Sequence, residues 1–315
     1  MTLEKMNLTV EQVSKFQPHY SSEPVTDVVP LSGGEWSQAF AFKQGGKDYV
    51  LRLSRSEDDF LIDRFANRFS SASLPIPKIV ELGAAFGCCY AVSERAFGTM
   101  LDDLDKASMK RTVPSLLETL DAIRGADLSG TMGFGMLDTN GRGTNGSWKE
   151  FLLGVSADVP NRKVYGWHEG LQSSPLGDGP FNQAYAMYAE LAQDMPEERY
   201  LIHNDLTHFN VLTNDNKITA VFDWSNATYG DFLYDLAGLA FWGPLYEPIK
   251  GIDWETEAKA HFQEIGLEVP AFKKRLHCYM LRIGLDAQTY YGFKRNWDWL
   301  EPVANRTLEV AKYVH

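Results

Sequence analysis

An aspartate, an asparagine five positions later (205 to 210) and a second aspartate thirteen further on (210 to 223) carry the clearest chemistry in this chain. They lie in His203-Asn204-Asp205-Leu206-Thr207-His208-Phe209-Asn210 and in Val221-Phe222-Asp223-Trp224. Phosphoryl transfer from a nucleotide needs such a set: one carboxylate to orient and deprotonate a hydroxyl, plus an amide oxygen and a second carboxylate to hold Mg²⁺. Asp205 is therefore the candidate base, and Asn210 and Asp223 are the candidate Mg²⁺ ligands. Alone, Asp205 reads as a turn carboxylate capping local N–H groups, and Asp223 as a strand-end turn residue. The three in register favour the chemical reading. Between them, Val211 to Thr213 and Ile218 to Val221 read as two short apolar strands around the polar turn Asn214-Asp215-Asn216-Lys217. That hairpin makes its two ends converge.

His203 reads as scaffold, packing the loop and donating to a backbone carbonyl. His203, Asp205 and His208 also spell H-x-D-x-x-H, which admits a metallohydrolase as an alternative. That pattern explains neither Asn210 nor the hairpin leading to Asp223, and no other clear cluster of histidine ligands accompanies it.

On the nucleotide side, Arg52 sits in Tyr49-Val50-Leu51-Arg52-Leu53-Ser54 and points opposite to Leu51 and Leu53 by strand alternation. A guanidinium stays charged and forks onto phosphate or carboxylate. The following helix offers Asp59 and Asp63, one turn apart; the residues alone leave a phosphate role and a surface ion pair both open. The turn Ser32-Gly33-Gly34 would lay backbone N–H groups over phosphates, although a Gly-Gly turn before a strand is common. Glu94 to Ala96 is by position the connector whose backbone would hydrogen-bond an adenine. Trp224, Trp242, Asp231 and Asp286 are candidates to line the substrate cleft. Aromatic residues near apolar runs are more often core, and capping or bracing of the catalytic loop is the favoured reading of Asp231 and Asp235.

These residues need elements to position them. Thr9 with Gln12 reads as the capping box of an amphipathic helix. Strands are expected over Ser37 to Phe42 and Asp48 to Ser54, joined at Gln44 to Lys47, and again over Lys78 to Leu82 and Cys88 to Val92. Between the pairs, Ser56 with Asp59 forms a capping box for a helix with Phe60, Phe65 and Phe69 as its apolar stripe, running to about Ser73 before Pro75 and Pro77. After Gly98 the pattern turns helical, at Leu116 to Ile123, Phe181 to Gln193 and from Trp254 onward, with Pro270 and Pro302 as punctuation. Gly130 to Gly146 reads as irregular and Pro160 to Pro180 as a loop-rich insertion. The expectation is an α+β chain with a small antiparallel β lobe and a larger, mainly helical one, divided as 1–97 and 98–315. A cleft between lobes is a favoured cofactor site.

The 315 residues are 44% hydrophobic and 23% charged, with net charge −12 and pI near 5.1. This balance argues against general affinity for nucleic acid or anionic membrane and suits a cationic substrate. Cys88, Cys89 and Cys278 offer neither a disulfide framework nor a C-x-x-C metal spacing, so a reducing, cytoplasmic setting fits. No secretory leader or membrane-length apolar run is visible.

The catalytic loop, Val221 to Trp224, and Gly230-Asp231 with Asp235-Leu236-Ala237 resemble the aminoglycoside phosphotransferases, a branch of the protein-kinase-like fold. The likeness extends to Leu31 to Glu35, Tyr49 to Arg52, Ala72 to Pro77, Ile218 to Ser225 and Tyr279 to Asp286, stretches similar to the members that act on hygromycin B. The resemblance implies ATP, Mg²⁺ and an aminocyclitol hydroxyl as acceptor. It implies Asp205 as base, Asn210 and Asp223 as metal ligands, and a phosphate role for Arg52. A monomer is expected.

Overall fold

The computed structural model describes residues 7–31, 37–160, 162–207 and 209–312. The first helix, α1 (Val10–Val13), carries the expected capping box: Thr9 Oγ1 accepts from the Gln12 N–H at 3.2 Å, and Gln12 Oε1 from the Thr9 N–H at 2.8 Å. Next come β1 (Thr26–Leu31), β2 (Gln38–Gln44), β3 (Lys47–Ser54), α2 (Asp58–Ala66), β4 (Ile79–Ala85) and β5 (Cys88–Glu94). The strands form one antiparallel sheet in the order β1-β2-β3-β5-β4. β1 was not legible in the sequence. It is a largely exposed edge strand containing Pro30, with an irregular register between Thr26 and Val29, so no apolar alternation marks it.

Helix α2 departs from expectation at both ends. Ser56 Oγ accepts from the Asp58 N–H at 3.2 Å, so Asp59 lies inside the helix and forms no capping box with Ser56. The helix tightens into a 3₁₀ turn at Asn67–Phe69 and stops short of Ser73. Asn67 causes the stop, because its side chain bonds the Pro77 carbonyl (2.9 Å) and the Ile79 N–H (2.8 Å) and pins the next segment alongside.

The larger part comprises β6 (Thr99–Met100), α3 (Lys106–Arg124), β7 (Phe134–Leu137), β8 (Gly143–Asn145), α4 (Trp148–Leu153), α5 (Trp167–Gln172), α6 (Gly179–Ala192), β9 (Tyr200–Ile202), β10 (Val211–Asn214), β11 (Lys217–Val221), β12 (Thr228–Gly230), α7 (Leu233–Trp242), α8 (Trp254–Glu264), α9 (Phe272–Lys294) and α10 (Trp297–Lys312). Two small sheets lie among these helices, ordered β11-β10-β6 and β8-β7-β12-β9. The stretch read as irregular, Gly130 to Gly146, contains the β7–β8 hairpin. Gly133 has φ +78°, and a Cβ there would lie 2.3 Å from the Gly143 carbonyl oxygen, so glycine is what lets the strands approach. The expected insertion from Pro160 to Pro180 contains α5. Pro302 lies within α10 rather than ending it; the carbonyl it leaves unbonded belongs to exposed Asp298, where water can reach it.

Two cores result. Phe40, Phe42, Tyr49, Leu51 and Leu53 of the N-terminal sheet pack with Val13 and Phe16 from the α1 segment. Ile62 and Ala66 of α2 instead join the larger core, together with Phe69, Leu74 and Ile76. The helix is therefore anchored to the helical part while its other face meets β3. Helix α9, buried along most of its length, is packed by α5, α6, α7 and α10. Among the described residues, no helix is long and apolar enough to cross a membrane.

Candidate active site

The catalytic hairpin forms as the sequence predicts. Val211 pairs with Val221, and the Phe222 N–H donates to the Asn210 carbonyl at 3.0 Å, which sets Asn210 and Asp223 at adjoining ends of β10 and β11. Asn204, Phe209 and Asp223 adopt left-handed backbone conformations (φ +66°, +67° and +61°), so packing holds the loop in a form few side chains choose freely.

Asp235, on α7 and 5% exposed, supplies much of that hold. Its Oδ2 accepts from the His203 N–H at 2.8 Å and its Oδ1 from the Asn204 N–H at 2.7 Å. Burial pushes this carboxyl above its ordinary pKa, against the opposing pull of His203 and the two N–H groups. His203 is fully buried and spans the loop: Nε2 lies 3.1 Å from the Phe222 carbonyl and Nδ1 accepts from the Asp205 N–H at 3.2 Å. Its ring packs edge-on against Trp224, centroids 4.6 Å apart. Both nitrogens are thus engaged in scaffold bonds, which removes His203 from any zinc site. His208 lies outside the described residues.

The Asp205 carboxylate receives the Asn226 side-chain N–H at 3.4 Å, and its backbone carbonyl accepts from Asn210 Nδ2 at 2.8 Å. That bond fixes which way the Asn210 amide faces: nitrogen toward the loop, oxygen available to a cation. The Asp223 Oδ1 accepts from the Ser225 hydroxyl at 2.8 Å. Among the described residues, no group of three or more His, Cys, Asp or Glu side chains could enclose a metal. An amide oxygen and one carboxylate fit Mg²⁺ instead, which takes few protein ligands and completes its shell with phosphate oxygens and water.

Arg52 pairs with Asp63 of α2, which settles the choice the sequence left between Asp59 and Asp63. Asp63 also accepts the Trp224 N–H at 2.6 Å, so one buried carboxylate ties β3 to the residue after Asp223. Burial works against the Arg52 charge, but Asp63 and then Asp223 hold its pKa above the usual value. Asp59 contacts Lys163 at 3.1 Å.

These residues line one cleft of about 1600 Å³ between the N-terminal sheet and the helical part. A single small-ligand pocket is usually about 300–1,000 Å³, so this cleft has room for two ligands. Arg52, Glu94 and Ala96 line it with Asp205, Asn210 and Asp223. The Glu94 N–H is committed to the Lys78 carbonyl at 2.9 Å. Ser32, Gly33 and Gly34 lie outside the described residues. Gly98 follows the connector with φ +153°, in a close approach that only glycine permits (a Cβ would lie 2.6 Å from the Thr213 carbonyl oxygen), and β6 then pairs with β10. The connector is in this way stitched to the catalytic hairpin.

The acceptor candidates divide. Asp286 and Trp242 line the cleft. Asp231 does not: it is fully buried, bonded to Arg275 Nε and Nη2 (2.7 Å each), the Tyr279 hydroxyl (2.5 Å) and the Leu233 N–H (3.1 Å). Trp224 presents its ring to the core, 1% exposed, with Nε1 donating to the Val221 carbonyl. Trp224 nevertheless lies along the cleft, so of the four candidates Asp231 is the one withdrawn into the core as a support. Sequence reasoning missed Asn226 and the stacked aromatic side chains of Tyr246, Trp299 and Tyr291 in the cleft wall. No local pattern marks them, because they converge from separate elements.

Comparison with known proteins identifies the family. Residues 27–264 match the model of the phosphotransferase enzyme family (APH). The chain is 37% identical over 286 residues, 90% of its length and 80% of the relative's, to hygromycin-B 4-O-kinase of Escherichia coli. It superposes with TM-score 0.80 and 33% identity on a thermostable mutant of aminoglycoside phosphotransferase APH(4)-Ia in ternary complex with AMP-PNP and hygromycin B, covering 95% of this chain and 96% of that one. Spectinomycin phosphotransferase APH(9)-Ia, 14% identical with TM-score 0.59 over 91% and 94% of the chains, shares the fold. With its protein-kinase-like architecture, the chain belongs to the phosphotransferase enzyme family.

Proposed function

We propose that this chain transfers the γ-phosphoryl group of ATP to a hydroxyl of an aminoglycoside, hygromycin B, and thereby confers resistance to it. The observation that carries the reading is the convergence of Asp205, Asn210 and Asp223 with the Arg52–Asp63 pair in one cleft large enough for nucleotide and acceptor. The relative at 37% identity is a kinase of hygromycin B. A net charge of −12 suits a polycationic acceptor.

In this reading residues 1–97 form the nucleotide lobe and 98–315 the catalytic and acceptor lobe. Glu94 and Ala96 offer backbone groups to the adenine, and Arg52, held by Asp63, directs its charge to the phosphates. Asn210 and Asp223 would hold Mg²⁺, which when bound would neutralise phosphate charge. Asp205 accepts the proton of the acceptor hydroxyl as that oxygen attacks phosphorus. The Asn226 bond restrains its carboxylate, and the Asp235-braced backbone fixes its position. Asp286 and Trp242 contribute to the acceptor side. Positioning and charge stabilisation, rather than covalent help, carry the rate. The enzyme works as a monomer in the cytoplasm.

A coupled ADP-release assay with hygromycin B beside other aminoglycosides, amino alcohols and sugars tests the reading. Hygromycin B is expected to give the highest kcat/KM. Preference for an amino alcohol or sugar would replace the antibiotic by a metabolic acceptor, and nucleotide binding without ADP release would mark a silent relative.

A further inference from the structure

We propose that Asp286, Arg162 and Arg282 form a subsite that grips neighbouring hydroxyls on a neutral ring of the acceptor, and not one of its ammonium groups. The inference rests on the acceptor class proposed above and names the part of that acceptor which this wall of the cleft reads.

An isolated carboxylate in such a cleft would suit a cationic ligand, but Asp286 is not isolated. Arg282 Nη1 lies 3.1 Å and Arg162 Nη2 3.6 Å from it, and both approach Oδ1. Oδ2 takes part in neither contact, and the Asp286 side chain is 52% exposed. Two guanidiniums flank this one carboxylate, and Asp158 is a further carboxylate acting on Arg162.

Besides Asp286, neutral groups hold each arginine in place. Arg162 Nη1 donates to the carbonyls of Ala157 (2.6 Å), Gly154 (3.3 Å) and Val155 (3.3 Å), which aims its other nitrogen at Asp286. Arg282 is 4% exposed, its guanidinium lying over the Phe151 ring at 5.0 Å. Its Nε and Nη1 are buried without a hydrogen bond, Nη1 meeting Asp286 only as an ion pair. All of these side chains line the cleft with Asp205.

Charge and valence together choose the ligand. An ammonium only donates: it could satisfy Asp286 Oδ2, but two guanidiniums would repel it and their N–H groups would gain nothing. A ligand carboxylate only accepts, and would crowd Oδ2. A hydroxyl donates to Oδ2 and accepts from the Arg162 Nη2 N–H at once, so adjacent hydroxyls on a sugar or cyclitol ring match the acceptor and donor side by side, while buried Arg282 supplies charge behind Asp286. The cationic groups of the drug then lie elsewhere in the cleft.

The test is steady-state kinetics of the wild type, Asp286→Asn and Asp286→Ala at low and high salt, with hygromycin B and a panel of neutral hydroxylated rings. Asp286→Ala removes one charge-assisted hydrogen bond and is expected to raise the acceptor KM about tenfold or more, leaving the ATP KM within about twofold. Asparagine keeps an acceptor oxygen, so Asp286→Asn is expected to raise KM only about threefold, with the salt dependence of KM as in the wild type. Equal losses in both variants, with a flatter salt dependence in Asp286→Asn, would assign Asp286 to an ammonium and overturn the subsite. An unaffected Asp286→Ala would overturn it too. If the wild type phosphorylates a neutral ring but not hygromycin B, the aminoglycoside reading fails while the ordering of the variants on that ring upholds the subsite. Turnover with no hydroxylated acceptor overturns both.

Discussion

The brace on the catalytic loop gives the most demanding expectation. Asp235 accepts two backbone N–H groups, from His203 and Asn204, at 2.8 and 2.7 Å, and all three partners are largely shielded from water. Each bond has an ionised partner, for which a net stabilisation of about 1.5–3 kcal/mol is typical. Asp235→Ala removes both and orphans the two donors, a loss of about 3 to 6 kcal/mol. Relief of burying a carboxylate offsets part of it, since burial already raises this group's pKa. Asp235→Asn keeps one acceptor and turns an amide N–H toward the second donor, so about half that loss is expected. The loop should then relax where it positions Asp205, and a displacement near 1 Å can cost about 10²-fold in rate. Urea unfolding of both variants gives the stability terms; kcat and the ATP KM give the rest. For Asp235→Asn, kcat should fall about 10²-fold while the ATP KM stays within about threefold, because the Asp235 hydrogen bonds go to the backbone of the loop that carries Asp205 and not to the residues proposed to hold ATP. Wild-type kcat in Asp235→Asn, with or without a stability loss, would refute the bracing argument.

Three further outcomes follow from other parts of the molecule. Arg52→Lys keeps a charge but not the fork, so the ATP KM should rise about tenfold, while Arg52→Met should raise it more and also destabilise the chain by stranding Asp63. Asp231→Ala leaves Arg275 buried without its main partner; urea unfolding should register a loss of about 3–5 kcal/mol, with acceptor KM nearly unchanged below the melting range. His277 is held neutral by burial, its pKa below the usual 6.5, with its Nε2 bonded to the Val310 carbonyl. A depressed folded pKa means that its contribution is complete above pH about 6.5 and is lost as pH falls toward the folded value, because the unfolded state takes up the proton first. The melting temperature of wild type should therefore drop more between pH 7.5 and 5.5 than that of His277→Gln (pH values about as stated).

The parts of the site legible in the sequence are those fixed by short-range geometry. Asp205, Asn210 and Asp223 belong to one loop and one hairpin, so their spacing alone brings them together, and His203 was recognisable as scaffold for the same reason. Strand alternation set Arg52 on the side opposite Leu51 and Leu53 but left a phosphate role and a surface ion pair both open. Its partner was not legible, since Asp59 and Asp63 are one helical turn apart and only the docking of α2 against the Trp224 N–H selects Asp63. Asp231 was read chiefly as a brace and also offered as a cleft candidate; its partner Arg275, 44 residues away, holds it in the core and was not legible. The β7–β8 hairpin stayed hidden because glycines that permit close strand contact also look like loop. The aromatic wall of Tyr246, Tyr291 and Trp299 comes from three separate segments and has no sequence period at all.

The central proposal is that Asp205 is the base for transfer from ATP to an acceptor hydroxyl. Single-turnover mixing of γ-labelled ATP with hygromycin B, for wild type and Asp205→Asn, addresses it directly. Label should pass to hygromycin B in the wild type, and in Asp205→Asn the transfer rate should fall about 10²- to 10⁴-fold while the Kd for ATP stays within about threefold. Transfer at the wild-type rate by Asp205→Asn, or label released only as inorganic phosphate by the wild type, would contradict it.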